Sequence, residues 1–193
     1  MAAKGRIVRV IGGEFKGRRL SLTRGRQIRP TSDRVREAIF DILGPHWTFP
    51  RCLDLFAGTG ALGIEALSRG AEEVVFVEQG KGALVVLKGN LEALGLKARS
   101  QVLPVTAKKG ILLLGEKGEV FDLIFMDPPY GKEAVGKTLA EIARIGILTA
   151  TGIIVAEHAS RDLILPPPGL GLAEQRRYGD TMVSFFHKGP PST

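Results

Sequence analysis

Phe121-Asp122-Leu123-Ile124-Phe125-Met126-Asp127-Pro128-Pro129-Tyr130 is the stretch from which the rest of the chain is read. Its first half is apolar and β-favouring, the composition of a buried strand. Pro128 and Pro129 fix φ and have no N–H to give a ladder, so the strand ends there. A carboxylate, a prolyl carbonyl and an aromatic ring are thereby set at the C-terminal edge of a sheet, where open α/β sheets bind ligands. A flat group bearing an amine can stack on Tyr130 and donate one hydrogen to Asp127 and the other to the Pro128 carbonyl. Using both N–H bonds draws the nitrogen lone pair out of ring conjugation and turns it towards an electrophile. An exocyclic amine of a nucleobase needs that preparation before it is alkylated.

Upstream and downstream of this strand the pattern alternates. A strand over Cys52–Phe56 leads into Ala57-Gly58-Thr59-Gly60 and a helix from about Ala61 to Ser68. Glu73–Glu78 reads as a strand, followed by a helix carrying Leu84, Leu87, Leu91 and Leu94. Val102–Thr106 reads as a short strand and Lys109–Leu114 as a partial helix. Beyond Tyr130 come a helix over Lys132–Gly146 and a strand over Gly152–Glu157. Such β-α-β alternation predicts a mostly parallel sheet with helices on both faces. The end differs: Gly171–Arg177, a Tyr178-Gly179-Asp180 turn and Thr181–His187 form a hairpin pattern. Pro166-Pro167-Pro168 is a stiff connector, and residues 189–193 are expected to be a loose tail.

The front of the chain is of another kind. Arg6–Ile11 and Phe15–Leu22, joined through Gly12-Gly13, predict a basic β-hairpin. Thr31-Ser32-Asp33 then stands ahead of Val35, Ile39 and Leu43 at helical spacing, and Gly44-Pro45 ends that helix. This region has no deep core of its own and should pack against the α/β domain. The expected organisation is an extension over 1–44, one α/β domain over 45–188, and the tail.

The length of 193 residues suits one domain with a proper core. No apolar run approaches a membrane span, and the basic N-terminus lacks an apolar signal core. The single Cys excludes an internal disulfide framework and fits a reducing cytoplasm. Cys52 reads as a small buried hydrophobe, and three scattered His offer no metal-ligand spacing. Charge is more informative. From Lys4 to Arg36 there are 11 Lys and Arg against Glu14 and Asp33, a balance of +9. The chain as a whole is +7, so the remainder is −2, and the excess lies at the front. So lopsided a distribution marks a polyanion partner. On the hairpin, Lys16, Arg18 and Arg19 are the preferred phosphate contacts, the two guanidinium forks especially.

Asp54-Leu55-Phe56-Ala57-Gly58-Thr59-Gly60 follows a strand and opens a helix, where glycines bring the backbone close to a ligand. With Gly63 it makes a literal Gly-x-Gly-x-x-Gly, so a nicotinamide-binding domain has to be weighed. Asp54 argues against that, since a carboxylate at the entrance repels a pyrophosphate yet suits an ammonium group. Glu78, at the end of the next strand, is placed to accept from both hydroxyls of a ribose.

Asp127–Tyr130 matches the signature of amino-group methyltransferases that use S-adenosylmethionine. The run Asp54–Gly60, Glu78 and Asp127–Tyr130 is similar to class I S-adenosylmethionine-dependent methyltransferases. Ile11–Arg18, Arg29–Glu37 and Gly60–Ala71 narrow this. With them the chain resembles the bacterial 16S ribosomal RNA guanine-N2 methyltransferase family known as RsmD. The resemblance spans most of the chain. It implies a Rossmann-like α/β fold, with a seven-stranded mostly parallel sheet ending in an antiparallel hairpin, and a guanine of small-subunit rRNA as substrate. It implies S-adenosylmethionine, with product S-adenosylhomocysteine, held by Asp54, Phe56, Gly58, Thr59, Gly60, Glu78 and Asp127. Thr31 and Asp33 can simply cap their helix; the resemblance adds that their segment closes over the methionine end of the cofactor. Arg34 and Arg36 position phosphates or tie the helix down. One departure stands out. Many class I enzymes place an acid after the third strand to hold adenine, whereas Val105-Thr106-Ala107 has none, leaving the Thr106 hydroxyl or a backbone amide. Asp127, Pro128, Pro129 and Tyr130 are the expected catalytic residues, with no metal needed. The expected molecule is a cytoplasmic monomer that acts on rRNA, free or within a 30S particle, away from membranes. The alternatives are an adenine-N6 methyltransferase and a catalytically silent RNA-binding assembly factor.

Overall fold

Residues 8–22, 33–44, 49–128 and 132–189 are described by the computed structural model. Two short strands, β1 (Val8–Arg9) and β2 (Arg19–Leu20), pair antiparallel ahead of helix α1 (Asp33–Leu43). The remainder alternates as β3 (Arg51–Leu55), α2 (Ala61–Arg69), β4 (Glu73–Val77), α3 (Lys81–Ala93), β5 (Ser100–Leu103) and α4 (Ala107–Glu116). Next along the chain are β6 (Phe121–Met126), α5 (Lys132–Ile145), β7 (Leu148–Ala159), β8 (Leu170–Tyr178) and β9 (Thr181–Lys188). Strands β3 to β9 make one sheet in the order β5-β4-β3-β6-β7-β9-β8. The first five of these are mutually parallel, and β9 is antiparallel to both β7 and β8.

This order puts the topological switch between β3 and β6. The chain leaves β3 outward through β4 and β5, then returns to the other side of β3 as β6. A crevice opens at the strand ends where the winding reverses. Each face of the sheet has its own apolar layer. On one face Val35, Ile39, Phe40, Ile64, Leu87 and Leu91 of α1 to α3 meet Phe76, Leu123, Phe125 and Val155. On the other, Ile111 and Leu114 of α4 and Leu139 and Ile142 of α5 cover Leu53, Val75, Ile124 and Ile154. Strands buried on both faces read as continuous apolar runs, which is why β3, β4 and β6 stand out in the sequence.

The front elements join the first layer through Val8, Val10 and Leu20, and they are fixed to α2 and α3 by polar clamps. Glu65, fully buried on α2, accepts from the amides of Ile11 (2.8 Å) and Gly12 (2.7 Å). Ser68 Oγ accepts from Phe15 N (2.9 Å) and donates to Gly12 O (2.6 Å), while the Ser68 carbonyl takes Glu14 N at 2.7 Å. A Cβ on Gly13 would lie 1.8 Å from that carbonyl oxygen, so only glycine fits there. Arg36 is equally buried, donating to Arg9 O (2.6 Å) and Asp33 Oδ1 (2.9 Å), with Nε 3.9 Å from Glu65. Among the described residues its Nε and Nη1 have no hydrogen-bond partner, and burial pulls its pKa down against the carboxylates of Asp33 and Glu65.

Several local expectations shift. The second front strand begins at Arg19 rather than Phe15, because turn bonds from Lys16 N to Gly13 O and from Arg18 N to Phe15 O curl the chain first. β5 ends at Leu103, since Pro104 cannot continue the ladder. Thr106 is therefore the N-cap of α4, its hydroxyl accepting from Lys109 N at 3.2 Å, and the helix starts two residues before the expected Lys109. β7 runs over 12 residues, longer than the apolar core of its pattern, past an irregular pairing beside Asp122.

Candidate active site

The first half of the site is the turn after β3. Phe56 takes a left-handed φ of 63°, an unfavourable setting for a bulky residue that costs about 1–3 kcal/mol and concentrates at functional sites. The turn is held from β4: Ala57 N donates to Val77 O at 3.0 Å, and Glu78 Oε2 accepts from Gly58 N at 2.8 Å. The other oxygen of Glu78 takes Gly80 N at 2.6 Å. A carboxylate oxygen has two lone pairs, so Glu78 is rigidly aimed and can still accept from two further donors. Thr59 is buried, and its carbonyl accepts from Asn90 Nδ2 at 3.0 Å. Asn90 also exchanges hydrogen bonds with the backbone of Ser21, which ties the front hairpin to this turn.

Asp54 lies at the base of the turn, only 2% exposed, with Oδ2 accepting from Gly63 N at 3.0 Å. Gly63 makes that contact possible. A Cβ there would fall 2.3 Å from the Phe76 ring, so a side chain would push α2 off the sheet and its amide away from Asp54. Burial raises the Asp54 carboxyl to about 7; the Gly63 N–H works against this and the charge of Glu78 adds to it.

The second half is the turn after β6. The pairing of Leu55 with Met126 sets Asp127 beside Phe56 across the switch point. Burial holds the Asp127 carboxyl well above the usual range, with Glu157 and Asp54 adding to the rise. Glu157 comes directly after Ala156, the partner of Met126, so it stands beside Asp127 on β7. Asp54, Glu78, Asp127 and Glu157 thus come from β3, β4, β6 and β7 to one edge. Carboxylates crowded in a low-dielectric crevice repel pyrophosphate and fit a cation.

The remaining candidates fall in different places. Pro128 is buried next to Asp127, whereas Thr31, Pro129 and Tyr130 lie outside the described residues. Asp33 opens α1 and is paired with Arg36 (2.9 Å) and Arg9 (3.6 Å). Arg34 is exposed, and the fully buried Arg36 ties the helix down. Lys16, Arg18 and Arg19 are exposed, but the hairpin turn lies at the opposite edge of the sheet. Its amides reach Ser68 near the end of α2, and Arg18 Nη2 reaches Ala93 O at the end of α3 (3.3 Å). Five to six residues of strand, about 17–20 Å, separate that edge from Asp127.

Glu157 and Glu65 escape a reading of the sequence. For Glu157 a signal exists: like Glu78, it is a carboxylate that closes an apolar run, although β7 continues two residues past it to Ala159. For Glu65 the signal is an acid on the inner stripe of a helix between Leu62 and Ala66, where a lone charge needs partners.

The sheet order, the glycine turn at the switch point and the strand-end carboxylates define a Rossmann-like methyltransferase fold. Residues 8–187 match the model of the family described as conserved hypothetical protein 95, and the chain belongs to this family, which is that of the RsmD proteins. Ribosomal RNA small subunit methyltransferase D of Escherichia coli is 35% identical over 182 residues, covering 94% of this chain and 90% of that protein. YlbH of Bacillus subtilis is 40% identical over 183 residues, covering 94% and 99% respectively. The solved structure of yhhF from Escherichia coli superposes with a TM-score of 0.83 at 31% identity, covering 95% of this chain and 98% of that one. Among the described residues no helix is long and apolar enough to cross a membrane.

Proposed function

We propose that the protein transfers a methyl group from S-adenosylmethionine to the exocyclic N2 amine of a guanine in small-subunit rRNA. The observation that carries this reading is the meeting of Asp127, Asp54 and Glu78 at one switch point, in a family whose members include small-subunit rRNA methyltransferases. The donor set fits the cofactor. Glu78 has acceptor capacity for ribose hydroxyls, and Asp54, Asp127 and Glu157 supply negative charge for an ammonium and a sulfonium. When bound, S-adenosylmethionine supplies an electrophilic methyl group on its sulfonium.

The chain's own groups do the rest. The guanine leaves its stack, which costs a few kcal/mol and least for an unpaired base. Tyr130 offers its ring for stacking, a contact worth about 1–3 kcal/mol. Asp127 and the Pro128 carbonyl accept the two amine hydrogens and turn the nitrogen lone pair towards the methyl carbon. With the methyl group supplied by bound S-adenosylmethionine, the amine nitrogen would give up one hydrogen as a proton, which the Asp127 carboxylate takes and passes to solvent. Holding the reacting atoms about 3–3.5 Å apart supplies much of the acceleration. The protein works as a cytoplasmic monomer on small-subunit rRNA, either free or within an assembled or partly assembled particle.

The raised carboxyls make cofactor binding depend on pH. Asp54, near 7 in the folded protein against about 3.9 in an unfolded chain, is still protonated in the fold at pH 5–6. For the free protein this group therefore favours folding below about pH 4, and that contribution is lost as pH rises to 7. A cationic ligand selects the ionised form, so the order reverses for binding. Calorimetric affinity for S-adenosylmethionine should tighten from pH 6 to 8 with proton release, and Asp54→Asn should flatten the trend. Affinity independent of pH would remove Asp54 from the ammonium site.

Incubating labelled S-adenosylmethionine with rRNA, small subunits and DNA in parallel, then digesting to nucleosides, tests the proposal. N2-methylguanosine from small-subunit RNA is expected. N6-methyladenosine would overturn the substrate assignment, and no transfer to any of the three would sink the activity itself.

A further inference from the structure

The hairpin's basic residues and the catalytic edge lie at opposite ends of the molecule, yet one RNA has to reach both if the proposed function holds. The outer face of α3 spans the gap. Its exposed stripe reads Lys81, Val85, Lys88 and Glu92, at helical spacings of four, three and four. Lys81 opens the helix directly after the Glu78 turn, and Ala93 closes it against Arg18. β2 lies alongside, through Ser21 on Asn90 and Arg18 on Ala93, so exposed Arg18 and Arg19 extend the same flank.

We infer that the flank formed by Lys81, Lys88, Arg18 and Arg19 is a track for the sugar–phosphate backbone of the RNA substrate, running from the catalytic edge down α3 to the hairpin; this rests on the RNA-methylating reading above. The only acid on the α3 stripe, Glu92, is neutralised by Lys97 at 2.6 Å. Neither Lys81 nor Lys88 is ion-paired among the described residues, in contrast with Lys97 and Lys137. Val85, 73% exposed between the two lysines, offers an apolar step for a ribose or base edge. Beside Lys88 lies a cleft of about 360 Å³, walled by Leu91, Val102 and Lys97. Ser100 also lines it, and its buried Oγ has no hydrogen-bond partner among the described residues. From Lys81 to Ala93 the helix measures about 18 Å, the rise of about five stacked nucleotides. Such a track reads charge and shape, and leaves base identity to the catalytic edge.

The test is the double variant Lys81→Glu/Lys88→Glu, with Lys137→Glu on α5 as a control outside the track. RNA binding of the double variant should weaken at least tenfold, and its log–log salt slope should fall by about 1.4–1.8, two phosphate contacts' worth. KM for RNA should rise, while affinity for S-adenosylmethionine and the melting temperature stay as in the parent. Lys81→Gln/Lys88→Gln, which removes charge without reversing it, should show the same direction at smaller size and guards against misfolding. Unchanged RNA affinity and slope in a folded double variant, with the parent active on RNA, would overturn the track alone. A parent protein that methylates no RNA would instead overturn the functional reading.

Discussion

Asp127→Ala lowers methyl transfer by about a hundredfold or more, the scale on which a positioned proton acceptor contributes to catalysis. The cofactor turn remains formed, because Phe56 to Gly60 is held by Val77, Glu78 and Asn90 rather than by Asp127. Stability should not fall either. Burial and two neighbouring carboxylates oppose the ionised form of Asp127, so truncating it relieves repulsion. The expected signature is lost turnover, retained S-adenosylmethionine binding and an equal or higher melting temperature. Asp127→Asn keeps an oxygen acceptor and should fall between parent and Ala variant. Single-turnover transfer to RNA measures the step directly, and near-parental turnover in Asp127→Ala would sink the proposed mechanism.

Glu65→Ala is expected to have the largest effect on stability. The substitution removes the acceptor for Ile11 N, Gly12 N and Arg69 Nε together, and strips fully buried Arg36 of one of its two counter-charges. Breaking a buried ion pair by deleting one partner typically costs about 3–5 kcal/mol. At about 2–4 °C per kcal/mol for a chain of this size, melting should drop by roughly 6–20 °C. The paired change Glu65→Leu/Arg36→Met should recover only part of that loss, since it removes both members of the fully buried Arg36–Glu65 pair while Arg69 and the amides of Ile11 and Gly12 still lose their acceptor. Scanning calorimetry on the three proteins decides the matter. A shift in Glu65→Ala within the range of an ordinary surface substitution would show that the front elements are held by their apolar contacts alone.

The layout of the site along the chain is legible in the residues themselves. β3, β4 and β6 are buried on both faces, so their apolar runs are unbroken, and each ends where a glycine, a carboxylate or a proline pair stops it. Asp54, Glu78 and Asp127 are visible for that reason. Glu157 obeys the same rule but sits on a longer strand whose N-terminal half is half-exposed, which blurs its boundary. Thr106 belongs to the start of a helix rather than the end of a strand, because Val102–Thr106 has a strand's composition until Pro104 is given its due as a ladder breaker.

Local sequence determined the alternation of elements, the positions where strands stop, and the chemistry available at those stops. These follow from side-chain periodicity and from the backbone limits of proline and glycine, which act within a few residues. Tertiary structure alone decided that β3 and β6 are neighbours, that Glu65 and Asn90 clamp segments 53 and 69 residues away, and that the basic hairpin turn hangs at the edge remote from Asp127. Those outcomes depend on which buried faces meet and on where each buried polar group finds a partner. Both are settled only when distant stretches of chain are packed together.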